Sequence, residues 1–576
     1  MEKTNREIEI NAENEQKDTL TDRRGFLGKL GKAAIIGTAA GTIGLTVSPA
    51  KAAGGNNDDD DDNGGGNRRN RARKLRRDAA QDEFAATPEN LQHPTNGDEQ
   101  LYSNRIGNYS KGMPHDSNGE VSAAAFNALL SAVQTGKSTD YDAIPLGGVR
   151  KFTSPQAGLA FDLEGGDSHS FVLPPAPAFA SKEEAAEIAE NYWMALLRDV
   201  PFTSYAGNPI ANSAAADLTQ FGSAFKGPKN GSGQVTTDLL FRGLTPGDSV
   251  GPYLSQFWYL PCFFGANEIN QRVRTVLGVG SGGQNYMTDF GTWLSIQRGL
   301  APATGDIFDP VLRYMRNGRD IGQWVHIDVL FQGYFQAFLC LAGVGAPLDA
   351  GNPYSSPNPS SFNQAGFATF GGPHLATILC EVATRALHAV WYQKWQVHRR
   401  LRPEVFAARV HQTLNMGRPY PVHPEILNSV SSASRLGGYL SPGNALLPMA
   451  FPEGSPTHGA YGAGHATVAG ACVTILKAWF DGNALLPATV VPDAAGNNLV
   501  PFGGPQLTVR GELNKIASNV AIGRNIAGVH WRSDATESLK LGEAVAISIL
   551  RDQSRTYNEA FNGFTFTKFD GTTVTI

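Results

Sequence analysis

Between residues 374 and 399, Leu375, Ile378, Leu379, Val382, Ala386 and Val390 recur in steps of three and four. That spacing places them on one stripe of a long buried helix. The same period predicts helices over roughly 120–135, 181–199, 321–343, 464–481 and 534–552. Gly-, Pro-, Ser- and Asn-rich loops separate them, notably 344–373 and 417–464. Strands are few: only short ones are expected, near 237–241 and 571–576. No repeat of fixed period is present. The expected fold is mainly α, with helical bundles joined by long loops. With 576 residues, 41% of them hydrophobic and 18% charged, the chain has ample material for a large core. A net charge of −5 gives no reason to expect nucleic acid as the main partner. Four cysteines, Cys262, Cys340, Cys380 and Cys472, exclude a disulfide-dense scaffold and read as buried thiols.

The N-terminus is organised differently. Arg23-Arg24 precedes a Gly/Ala-rich apolar run from Ala33 to Val47, followed by Ala50-Lys51-Ala52. Paired arginines, a weakly apolar stretch and small residues three apart resemble a twin-arginine export signal over residues 1–52, with a periplasmic or extracellular destination. The apolar run is too short for a stable membrane span. Residues 53–80 are expected to be a disordered linker, acidic from Asp58 to Asp62 and then basic through Arg68, Arg69, Arg71, Arg73, Lys74, Arg76 and Arg77. Residues 81–576 remain as one large helical domain.

Three clusters within 394–534 carry the chemistry. The first, Lys394 to Pro403, closes a long helix with cationic side chains, and Pro403 biases Arg402 out of the α region into a loop. The second, Ser455 to His465, is Gly-rich and opens an apolar helix. Backbone N–H groups there lie at the positive end of the helix dipole, an anion cradle, with His465 at its lip as a proton donor or acceptor. The third runs from Gly523 to Asp534. Asp534 can serve as a helix cap in a box with Glu537, or accept the Nδ1–H of His530 and leave Nε2 free as nucleophile or ligand. Together, Lys394, Arg402 and Arg524 supply donors suited to a tetrahedral oxyanion, and two histidines add a ligating nitrogen and a proton shuttle.

Lys-x(7)-Arg-Pro, then Gly-His opening a helix, then Arg-x(5)-His-x(3)-Asp is similar to the signature of vanadium-dependent haloperoxidases and the related phosphatidate-type acid phosphatases. The seven-residue spacing after Lys394, and His458 seven residues before His465, resemble the algal and cyanobacterial bromoperoxidases. The resemblance covers about 371–549 and implies a site between two four-helix bundles in a homo-oligomer. It implies vanadate bound through His530 Nε2, with Lys394, Arg402, Arg524 and the Gly464 N–H on its oxygens. His465 is then the acid/base, and His458 tunes the halide site or the proton network. Hydrogen peroxide, halide and a small organic acceptor are the implied partners; bromide or iodide is oxidised to a hypohalous-acid equivalent. The alternative is an acid phosphatase with His530 as nucleophile.

One departure is Ala463, where the family usually has a serine bonded to the oxyanion. The lost hydroxyl bond should cost about 0.5–1.5 kcal/mol. Some relatives hold a structural calcium. Loop 344–373 offers Asp349, Asn352, Asn358 and Asn363 but no EF-hand spacing.

Overall fold

The computed structural model describes residues 65–355 and 363–576. Four long helices, Gly372–Tyr392, Gly464–Trp479, Val509–Ile526 and Arg532–Ser554, pack against one another as a bundle. Gly464–Trp479 is at its centre. Its sequence is apolar on nearly every side, and every residue except His465 is buried. Two glycines let its neighbour approach. A Cβ on Gly470 would come within 2.0 Å of the Leu539 carbonyl oxygen, and one on Gly542 within 1.9 Å of the Thr467 oxygen. Any side chain at either point would push the two helices apart. A second group of four helices, Lys182–Leu197, Pro209–Gln220, Pro403–Asn415 and Pro424–Ser431, packs around Lys182–Leu197.

Strands among the described residues form three two-stranded antiparallel hairpins. The C-terminal strand expectation corresponds to Thr573–Thr575, paired with Thr565–Thr567. The one near 237–241 does not: that segment is a turn, with Leu239 and Leu240 N–H groups both bonded to the Thr236 carbonyl.

Three other departures stand out, the first two at the site. The helix expected over 321–343 is two, Gly318–Ile327 and Gln332–Gly343, bent by 104°. No Gly or Pro marks the break; Asp328 takes an extended conformation there. Val509–Ile526 lies outside the expected helices although Val509, Leu513, Ile516 and Val520 keep steps of three and four; the polar residues between them, Glu512, Asn514, Lys515, Ser518, Asn519 and Arg524, obscure the stripe and are themselves all buried. Their hydrogen bonds are tertiary, and periodicity does not register them. The third is the N-terminal linker: Gly65–Ala86 is a helix that begins inside it and runs on past residue 80. Arg, Lys, Leu and Ala are good helix formers, Lys74 and Asp78 pair at 2.8 Å across one turn, and Asp82 meets Arg555 at 2.6 Å. The export signal, the acidic run and Asn358 lie outside the described residues.

All four cysteines are unpaired, with Cys262, Cys340 and Cys472 buried and Cys380 partly so. No single helix among the described residues is long and apolar enough to cross a membrane.

Candidate oxyanion site

The long Gly372–Tyr392 helix is α-helical only as far as Tyr392. Residues Gln393–His398 continue it as one wider π-turn, and Arg399 then reverses the chain at φ 42°. This turn buries Lys394, whose Nζ donates to the carbonyls of Gly459 at 2.8 Å and Ala460 at 3.2 Å. Pro403 starts the next helix, and Arg402 before it is extended, as the proline dictates. The Arg402 guanidinium donates to Val529 O and to His530 Nε2 at 3.0 Å, and to His458 Nδ1 at 2.9 Å. One arginine thus ties the first cluster to the other two.

The Gly464–Trp479 helix opens at Ala463, which provides no side-chain cap. Its first N–H groups are therefore not satisfied by a capping hydroxyl. Arg524, in the last turn of Val509–Ile526, donates to Val325 O at 2.7 Å, while its Nε is buried with no partner. Its guanidinium sits 5.3 Å over the Phe451 ring. Gly528, at φ 88°, then turns the chain so that His530 faces back toward Arg402.

His530 Nδ1 donates to Asp534 Oδ2 at 2.8 Å, which leaves the Nε2 lone pair as the acceptor that meets Arg402. The same oxygen accepts the Trp531 N–H at 3.1 Å. The helix therefore starts at Arg532, with Asp534 as its third residue reaching back, rather than with Asp534 as the cap and Glu537 as its partner. Asp534 also accepts from Arg400 Nη1 at 2.8 Å, and Arg400 is held in turn by Glu184 and Glu187. Burial opposes charge on Arg400, but these three carboxylates raise its pKa and keep it cationic.

Lys394, Arg402 and Arg524 are in the opposite situation. All three are buried, and among the described residues no carboxylate lies within ion-pair distance of any of them. Burial, reinforced by the charge of Arg402, holds the Lys394 pKa well below its usual value. Burial lowers Arg402 to about 10 and Arg524 to about 10. His530 and His458 are held far below the ordinary histidine range by burial and then by these same cations. Both imidazoles are neutral at pH 7, and the positive charge belongs to Arg402 and Arg524; an oxyanion beside Lys394 would favour its protonated form as well. Several unpaired buried cations are expensive, and only an anion with several oxygens satisfies all of them.

Two participants carried no signal in sequence. Asp328, at the break between helices, accepts from His465 Nε2 at 2.9 Å. Burial lowers the His465 pKa, and Asp328 partly restores it. With Nε2 committed to Asp328, Nδ1 is the nitrogen free to exchange a proton. Trp391 stands 4.9 Å from the His458 ring and 5.7 Å from Lys394 Nζ, and its edge would be 3.1 Å from a Cβ on Gly464. It walls the cradle. Neither was visible beforehand, because Asp328 lay within an apparently continuous helix and Trp391 on an ordinary apolar face.

The structure therefore gathers every residue singled out in the three clusters: Lys394, Arg402, His458, Ala463, Gly464, His465, Arg524, His530 and Asp534. The donor set fits a tetrahedral oxyanion of the phosphate or vanadate type. Among the described residues no group of three or more His, Cys, Asp or Glu side chains is arranged to hold a bare metal ion.

Comparison with known proteins adds the following. A family profile described as the VCPO second helical-bundle domain matches residues 375–559. A vanadium-dependent bromoperoxidase of Corallina pilulifera is 37% identical over 571 residues, covering 84% of this chain and 94% of that protein. One from Ascophyllum nodosum is 35% identical, covering 80% of this chain and 85% of that protein. The homohexameric structure of the second vanadate-dependent bromoperoxidase from Ascophyllum nodosum superimposes with a TM-score of 0.81 at 30% identity, covering 95% of both chains.

Proposed function

The chain belongs to the vanadium-dependent haloperoxidases, and from that premise we propose that it oxidises bromide with hydrogen peroxide on a vanadate held between Lys394, Arg402, Arg524, Gly464 and His530. The observation that carries this reading is the trio of buried cations with no carboxylate partner. Bound vanadate supplies a Lewis-acidic V(V) centre that activates peroxide toward halide without changing its own oxidation state.

The protein's own part is positioning, charge and proton movement. His530 offers its Nε2 lone pair because Asp534 holds the proton on Nδ1. Lys394, Arg402 and Arg524 neutralise oxyanion charge, and the uncapped Gly464 end of the helix adds N–H donors. His465 takes a proton at Nδ1 when peroxide arrives and returns it to the departing oxygen, while Asp328 stabilises the imidazolium. His458, neutral and bonded to Arg402, keeps that guanidinium oriented. The net change is Br⁻ + H₂O₂ + H⁺ giving HOBr + H₂O.

An acid phosphatase would use the same donors, but the bromoperoxidases that match most of this chain's length favour halide oxidation. The Arg-Arg motif and Ala50-Lys51-Ala52 support export by the twin-arginine route, and the homohexameric relative supports a homo-oligomer. Equilibrium dialysis of metal-stripped protein tests the site. One vanadate per chain is expected, competed by phosphate and lost in His530→Ala. Vanadate binding unaffected by that substitution would refute the assignment.

A further inference from the structure

Beside the oxyanion site lies a second concavity of about 250 Å3, and Asp328 is part of its wall. The carboxylate that holds His465 thus separates the two. Trp258 and Trp324, edge to face with centroids 4.7 Å apart, form an aromatic floor together with the exposed side chain of Ile327. Two wall residues have acceptors without donors: Asp328 Oδ2 and Gln336 Oε1 are buried and unpartnered. At the rim, the Arg274 guanidinium lies 3.5 Å from the Phe308 ring centroid, and among the described residues no carboxylate pairs with it. Its neighbour Arg272 is instead committed to the Asn497 carbonyl.

Each feature specifies part of a ligand. The volume is below that of a drug-sized site and suits one or two rings. An indole-lined floor favours a flat aromatic body. Unsatisfied buried acceptors call for an O–H or N–H donor, and an unpaired guanidinium calls for an anion. From these we infer that the cavity is an acceptor subsite for a small phenolic acid, with its hydroxyl donating to one of the two acceptors, Gln336 Oε1 or Asp328 Oδ2, and its carboxylate at Arg274.

Such a ring is electron-rich and open to electrophilic bromination. The C–Br bond forms at a carbon beside the hydroxyl as the O–Br bond of HOBr breaks, and the ring proton leaves with hydroxide as water. This role rests on the haloperoxidase reading; the binding event does not.

The test is a titration of vanadate-free protein with 4-hydroxybenzoate, followed by tryptophan fluorescence and by calorimetry. Saturable quenching is expected. Benzoate, which lacks the hydroxyl, phenol, which lacks the carboxylate, and the exposed-site variant Arg274→Glu should each bind about tenfold more weakly. On vanadate-loaded enzyme, Arg274→Glu should lower kcat/KM for 4-hydroxybenzoate relative to that for a β-diketone. No saturable binding by the wild type into the millimolar range, or binding indifferent to Arg274→Glu, overturns the subsite even if the β-diketone is brominated. Binding without any β-diketone bromination would instead refute the haloperoxidase reading and leave the subsite standing as a binding site.

Discussion

A cation buried with no carboxylate beside it costs several kcal/mol, and Arg402 and Arg524, together with Lys394 when protonated, bear that cost within one cluster. Bound oxyanion offsets it, so Arg402→Ala should reduce vanadate affinity about a hundredfold, the scale of losing one charge-assisted bidentate donor. Equilibrium dialysis reads this directly. Restoring a hydroxyl at the helix start works the other way: Ala463→Ser should tighten vanadate binding about threefold to tenfold. The Asp328–His465 pair sets a pH dependence. Asp328 raises a His465 pKa that burial lowers. Asp328→Asn removes the raising partner, so His465 protonates only at lower pH and remains a competent base further into acid. The acid limb of kcat/KM should move to lower pH, and a limb that stays in place would contradict the assigned role. Residues whose meaning lies in local spacing, such as Lys394 before Arg402-Pro403 or His530 before Asp534, were legible in the chain. Asp328, Trp391 and Arg400 were not, because each acts through a partner more than a hundred residues away or through a wall that only the fold builds.

Among the elements, the contact between Gly464–Trp479 and Arg532–Ser554 ties the anion cradle to the helix that follows His530. Gly470 and Gly542 set its closeness. Gly542→Ala should cost about 1–3 kcal/mol by overpacking and weaken vanadate binding as well, since Gly464 and His530 would move apart. Urea midpoints and dialysis together measure both effects; a loss of stability with unchanged affinity would mean the contact supports only the fold. Apolar periodicity revealed three of the four bundle helices. The fourth, Val509–Ile526, has its own stripe in Val509, Leu513, Ile516 and Val520, but it is obscured by polar residues that are also buried: Lys515 bonds Glu512, and these two and Asn519 bond the 250–256 segment. Periodicity also merged the two helices flanking Asp328, because Ile327-Asp328-Val329-Leu330 carries no breaker residue.

Across the whole molecule, two helical groups meet where Arg402, at the start of Pro403–Asn415, reaches into the loops of the central bundle. The mainly α architecture followed from helical periodicity, but the division into two four-helix groups came from family resemblance and is visible only in the packing. Light scattering on the purified protein should give a mass several times the 61.5 kDa of one chain; a monomer would argue against the oligomer proposed from the hexameric relative. One site is proposed both to take vanadate and to turn peroxide and bromide into a brominating agent. The direct measurement is bromination of a β-diketone by metal-stripped protein with peroxide and bromide, with and without added vanadate, run beside phosphoester hydrolysis. Bromination that requires vanadate and is suppressed by phosphate is the predicted result. Phosphoester hydrolysis without metal, inhibited by vanadate and accompanied by no bromination, would contradict it.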